Sequence, residues 1–188
     1  MSKSSRTSDL SGLVSDLPWV LATFFTMLGA RLWLLNFCGT SLPYWDNWDD
    51  AEVTLTPYFE GRLSWTALLS AHNEHRAIFT RLLDLGLLLL NGQWDNYLMT
   101  AVNAVLHSAA LTGAGWLIVR ATGRKFWPWL ALPLVLALAL HFAWENTVGA
   151  FHSMFYFTLI FALLTIELLG LCAPGSLGWW VGGAAAVI

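Results

Sequence analysis

The sequence predicts an all-α fold: a polytopic transmembrane helix bundle whose extracytoplasmic loop carries juxtamembrane helices. Of 188 residues, 57% are apolar and only 11% are charged, with a mean hydropathy of +0.59, so there is too little polar surface to coat a water-soluble domain. The apolar residues are gathered into long runs separated by short polar turns. The chain has 12 Trp, 11 Phe and 4 Tyr, and Trp19, Trp33, Trp45, Trp94, Trp127, Trp129 and Trp144 sit beside those runs, where amphipathic rings settle at the headgroup level of a bilayer.

Residues 1–17 are Ser/Thr-rich, carry Lys3 and Arg6, and have few large apolar side chains; they read as a mobile cytoplasmic tail. The first span follows at 18–38, long enough for a hydrocarbon core of about 30 Å. No small-residue cleavage site follows it, so it reads as a retained anchor. Phe37 before Cys38 is too bulky for a lipidation signal. Further spans are expected at 96–119, 126–144 and 148–171, and another begins at 177 and is still apolar at Ile188. The expectation is that a complete protein continues beyond that residue with more spans. Residues 77–90, interrupted by Arg81 and Asp84, make a helix of only about 21 Å and read as non-spanning. Arg81 and Asp84 are expected to pair on its polar side. Arg31 and Glu167 are expected to snorkel or pair, and Asn103 and His107 to serve helix-to-helix hydrogen bonding.

Positive residues prefer cytoplasmic loops. Lys3 and Arg6 precede the first span, and Arg120, Arg124 and Lys125 fill the loop after the second. Both groups are cytoplasmic only if 77–90 does not cross, which places loop 39–95 and the turn 145–147 outside and the 172–176 turn inside. Cys38 and Cys172 then end on opposite sides and should not pair.

That topology brings Asp46, Asp49, Asp50, Glu52, His72, Glu74, His75, Arg76, His141, Glu145 and His152 to one membrane face. If the stretch after Pro43 is helical, then Asp46, Asp49 and Asp50, at i, i+3 and i+4, share one side. Crowded carboxylates raise one another's pKa unless a cation offsets the repulsion, which suits a general base or a divalent metal ion site; the plainer reading is a hydrated acidic loop. His72 and His75, three apart, have readings as metal ligands on a helix, as an anion site with Arg76, or as a water-facing helix start. A net charge of −3 and the lack of a basic, aromatic-interleaved stretch argue against nucleic acid as a partner.

The order of parts (a first span, an Asp-rich outer motif, Gly61, the His72–Arg76 motif, a short non-spanning helix and an aromatic-led second span) resembles the GT-C type of polytopic membrane glycosyltransferases, including the protein mannosyltransferase and aminoarabinose transferase relatives. The resemblance covers about residues 18–170. Asn47 stands where that pattern has an acidic partner for Asp46, and His-Asn-Glu-His-Arg replaces a His-Pro-Pro-like stretch. The resemblance implies transfer of a sugar from a polyprenyl-phosphate-linked donor to a glycan, lipid or protein acceptor at the extracytoplasmic face of a bacterial inner (plasma) membrane. It implies Asp46, Asp49 or Asp50 as the catalytic carboxylate, and His72, His75 and Arg76 against the donor phosphate. Glu52, Glu74, His141, Glu145 and His152 would line the site. A second class of function is an ion- or proton-coupled transporter or flippase, and a third is a non-catalytic membrane subunit.

Overall fold

The computed structural model describes residues 3–72, 75–139 and 144–187. Most of them are helical. Helix α1 runs Lys3–Cys38, α2 Asp46–Asp50, α3 Thr56–Phe59, α4 Trp65–Leu69, α5 Ile78–Asn91, α6 Asn96–Thr122, α7 Trp127–Ala139, α8 Trp144–Val148, α9 Ser153–Leu171 and α10 Leu177–Ala185. A π-helical turn, Ala51–Leu55, joins α2 to α3 without a break. Strands β1 (Ala71–His72) and β2 (His75–Arg76) form a minimal antiparallel pair with His72 opposite His75.

Among the described residues, three helical stretches are long and apolar enough to cross a membrane: Ser15–Cys38, Asn96–Thr122 and Ala150–Leu171. The span expected over 126–144 is helical over Trp127–Ala139, and its residues 140–143 lie outside the described residues. The segment expected as a tail is instead helical from Lys3, because once the apolar part of α1 is nucleated each added residue gains a backbone hydrogen bond. Trp127, expected at the lipid surface, is 1% exposed; it lies where α7 closes on Gly115 of α6, a position at which a Cβ would come 3.0 Å from Leu134.

Helix α6 is central, packing against α1, α7 and α9. Most of its buried positions are small or polar, among them Thr100, Asn103, Ala104, Ser108, Ala110, Thr112 and Gly115, which lets neighbouring backbones approach closely. Large apolar side chains point the other way: Phe25, Trp33, Leu132, Ile166 and Leu171 are exposed, and only 6% of the apolar window in Ala150–Leu171 is buried. The interior thus mixes polar side chains with apolar ones such as Met27 and Leu35, while many large apolar side chains face outward, unlike the surface of a water-soluble bundle.

Residues 39–95 fold over one end of these helices. Ser64 caps α4, accepting from the Ala67 N–H at 3.2 Å, Gly92 ends α5 with φ 73°, and Asp95 caps α6 by accepting from the Tyr97 and Leu98 N–H groups. Ala51, Leu55, Leu68, Leu85 and Leu88 form a separate small core for this loop, flanked by Tyr58, Leu63 and Trp94. Helix α5 does not present Arg81 and Asp84 to water as expected: its buried positions are Thr80, Arg81, Asp84, Leu85 and Leu88, while Leu89 and Leu90 are exposed. Phe79 packs against Phe157 and Phe161 of α9 at ring-centroid distances of 5.6 and 4.7 Å, and the Ser153 hydroxyl donates to Thr80 Oγ1 at 2.8 Å. These contacts lay α5 along the first turns of α9.

Arg81 does not pair with Asp84. Its Nε donates to Asp50 Oδ1 at 2.6 Å, and its Nη1 donates to the carbonyls of Ala67, Leu68 and Ser70 at 3.1, 3.1 and 2.6 Å. One guanidinium thus ties α2, the end of α4 and α5 together, and it is 0% exposed. Removing one partner of a buried pair leaves an uncompensated charge, so Arg81→Ala should cost about 3–5 kcal/mol and lower the thermal unfolding midpoint of the detergent-purified protein. The double change Asp50→Leu/Arg81→Met should cost less than Arg81→Ala alone, because no charge is left stranded. An Arg81→Ala variant that melts with the parent would refute the clamp.

Candidate functional site

The end of the fold capped by residues 39–95 gathers four polar contributions from three places in the chain. Asp46 and Asp49 stand one turn apart on α2, and His72 comes from β1. One ligand atom from each of the three lies within 4.8 Å of the other two. His72 Nε2 is 3.7 Å from Asp46 Oδ2, and the His72 side chain is only 10% exposed. Its ring packs on Phe151 at 4.6 Å between centroids. The fourth contribution is the turn before α9: Glu145, Asn146, Gly149 and His152 face Tyr44, Trp45 and Asp46 across a narrow cleft.

Buried amides hold these pieces in register. Asn47 donates to Asn96 Oδ1, accepts from the Phe151 N–H at 2.8 Å, and is buried. Asn96 in turn donates to the Thr40 carbonyl at 3.0 Å. Position 47 needs a donor and an acceptor at once, which an amide supplies and a carboxylate does not; this accounts for Asn where an acidic residue was the expectation. Asn103 donates to the Ala150 carbonyl at 2.5 Å, the inter-element bond foreseen for it, and Thr100 Oγ1 donates to the Val148 carbonyl at 3.3 Å. Together they suspend the 145–152 segment from α6.

Of the three clustered carboxylates, Asp46 and Asp49 share one surface and Asp50 does not. Asp50 is 3% exposed and is committed to Arg81, so its expected place beside the other two as a base is corrected: its oxygens are taken up by a structural ion pair. The helix begins at Asp46 rather than just after Pro43, and His72 and His75 lie on paired strands rather than one helix, which gives them extended rather than helical spacing. His75 and Arg76 occupy β2; Glu74 and His141 lie outside the described residues. Glu52 is exposed, outside the cluster. Glu145 and His152 line the cleft with Asp46, and His152 Nδ1 lies 3.2 Å from the Asn146 carbonyl.

Three features of the site were missed in the linear sequence. Trp45, immediately before Asp46, has φ 48° and ψ −122° and is 73% exposed; a bulky residue held there stores roughly 1–3 kcal/mol of backbone strain of the kind that clusters at functional sites. Arg31, expected to snorkel or pair, is buried and has partners there: its guanidinium lies 6.0 Å from the Tyr156 ring, and Nη1 reaches Thr147 Oγ1 at 3.5 Å, just beneath the cleft. The third is Arg81, whose place in an apolar helix was a visible signal of a buried partner. At the opposite end of the helices Arg120 pairs with Glu167 at 2.8 Å, one of the two outcomes, snorkelling or pairing, expected of Glu167, and Cys38 and Cys172 are both free.

Below Asp46 and Asp49, a small cavity is bordered by Asn47, Asp50, Thr80, Asp84 and Trp94. Burial pushes the Asp50 carboxyl upward, opposed by the hydrogen bond and charge of Arg81. Asp84 is pushed up to about 7 by burial and by the charge of Asp50, while a hydrogen bond from Trp94 Nε1 pulls the other way.

Comparison of the sequence with protein-family models and with curated proteins, and of the fold with solved structures, gives no match.

Two outcomes are expected. In the folded chain Asp84 keeps its proton to about pH 7, whereas an unfolded Asp loses it near pH 4, so ionising Asp84 destabilises the fold increasingly across that window and by a constant amount above it. Asp84→Asn, which retains the acceptor for Trp94, should match the parent below about pH 4, gain over it as pH rises, and hold a level advantage above about pH 7. Thermal unfolding as a function of pH reads this directly, and a constant difference at every pH would contradict it. Asn47→Asp should destabilise by about 1–3 kcal/mol, because Asn96 Oδ1 loses its donor; unfolding of the paired variants checks the figure.

Proposed function

We propose that this chain serves a multi-pass membrane glycosyltransferase activity, which moves a sugar from a polyprenyl-phosphate-linked donor to an acceptor at the extracytoplasmic face. The observation that carries the reading is the meeting of Asp46, Asp49 and His72 with the Glu145–His152 cleft at the very end of three membrane-length apolar helices. A lipid-linked donor needs its reacting bond at that level, where chemistry on a headgroup is reachable from the bilayer. The many large apolar side chains that face outward, and the small and polar residues buried between the helices, support lipid as the surrounding solvent.

In this reading Asp46 or Asp49 takes the proton of the acceptor hydroxyl as it attacks the anomeric carbon. The bond from that carbon to the phosphate oxygen breaks, and the leaving lipid phosphate needs positive charge or hydrogen-bond donors. His72, His75 and Arg76 fill that role. The resemblance to GT-C enzymes supports the same assignment. The clustered carboxylates and histidines of the site lie at one end of the helices rather than at mid-membrane, which favours transfer over ion-coupled transport.

Asp46→Asn and Asp49→Asn, made singly in the full-length protein, should leave expression intact, and at least one should reduce glycan or lipid modification by about 100-fold or more. If both variants modify at the parental rate, the enzyme assignment fails. The topology is tested by single cysteines replacing Glu60, Asn146 and Thr122 in a cysteine-free background. A membrane-impermeant thiol reagent applied from outside should label the first two and spare the third; labelling Glu60→Cys and Asn146→Cys from different sides would overturn the arrangement.

A further inference from the structure

We propose that Asp46, Asp49 and His72 form a binding site for one divalent transition-metal ion, of the borderline class that accepts an imidazole nitrogen together with carboxylate oxygens. Hydrated acidic loops are common, and the two carboxylates alone carry no such inference. His72 supplies the independent observation. Its side chain is nine-tenths buried, its Nε2 is buried with no hydrogen-bond partner, and that atom is turned towards the carboxylates. A buried nitrogen left without a partner is unfavourable, and Asp46 Oδ2, at 3.7 Å, lies beyond hydrogen-bond reach.

The same distance suits a shared cation. Metal–ligand bonds of about 2.0–2.2 Å at tetrahedral angles hold neighbouring ligand atoms roughly 3.4 Å apart. The third ligand, Asp49, is exposed, so a small side-chain rotation brings its oxygen in from the 4.8 Å limit that bounds the group. Phe151 fixes the plane of the imidazole, and the Asn47 bonds to Asn96 and Phe151 fix α2 against it. Magnesium and calcium prefer all-oxygen shells of six or more ligands; one imidazole and two carboxylates select zinc, cobalt or manganese instead. Three protein ligands with an exposed side leave a coordination position for water or an anionic oxygen, as an open rather than a structural site does.

The inference concerns metal binding in the absence of a sugar donor, the state in which Asp46, Asp49 and His72 are not engaged in the transfer proposed above. The full-length protein, freed of any polyhistidine tag and stripped with chelator, is titrated with Co2+ and followed by visible absorption and by metal content after gel filtration. About one equivalent per chain should bind with micromolar or tighter affinity, without a thiolate charge-transfer band, and millimolar Mg2+ should not displace it. Asp49→Asn and His72→Gln should each weaken binding at least tenfold, by the scale on which metal sites respond to lost support. Glu60→Gln, an exposed acid outside the group, should bind as the parent does. If His72→Gln fails to fold, Asp49→Asn decides the matter alone, since its side chain is exposed. The site is refuted if the parent binds no stoichiometric metal, if Asp49→Asn binds as the parent does, or if Mg2+ competes at equal concentration. Because no sugar donor is present, loss of metal binding leaves the transfer reading standing, and the carboxylate variants' failure to affect transfer leaves the metal site standing.

Discussion

The fully buried guanidinium of Arg81 organises residues 39–95, and the candidate site exists only because that loop is held in one arrangement. Two short helices and a two-residue strand pair have little stability of their own, and their shared apolar core of Ala51, Leu55, Leu68, Leu85 and Leu88 is small. Arg81 adds what the core lacks. It takes the Asp50 carboxylate on one edge and three carbonyls at the end of α4 on another, so the donors of one side chain fix three elements at once. A lysine, with a single ammonium and no planar fork, lacks the geometry for this.

That clamp also explains why adjacent acids in Asp49-Asp50 have different fates. The helical turn that points Asp50 inward to Arg81 leaves Asp46 and Asp49 facing His72. The π-helical turn that follows continues the helix without a break while placing Leu55 in the loop core, and Asn47 fastens the same turn to α6 and to the segment before α9. The outward pair therefore rests on two inward-facing polar anchors, one charged and one neutral. Strain at Trp45 sits where the chain enters this over-determined turn, which is the setting in which an unfavourable backbone conformation can persist.

The helices below follow a consistent rule. Interior positions carry Arg31, Asn103, Ser108 and Thr112, while the outer surface carries Phe, Leu, Ile and Trp. In water this would forfeit the hydrophobic driving force; in lipid, close backbone approach and internal hydrogen bonds hold helices together. The polar interior is densest near the capped end, where Asn103, Thr100 and Arg31 reach towards the 145–152 segment. Support for the site and cohesion of the helices are thus the same contacts.

Helical class, the apolar runs and the approach of Asp46 to the turn at Glu145 were all readable from the chain, because run length, composition and charge placement are local quantities. Asp46, Asp49 and His72 were legible as candidates for the same reason: their residue types and spacing announce them. Tertiary structure alone decided which carboxylate faces the site and which is buried, that Arg81 seeks Asp50 rather than Asp84 three residues away, that the two histidines lie on a hairpin, and that Arg31 turns inward. Each of these depends on which partner is presented across a packed interface and on how much water is excluded there. A buried charge takes whatever compensating group the fold brings to it, and neighbours along the chain have no privileged claim.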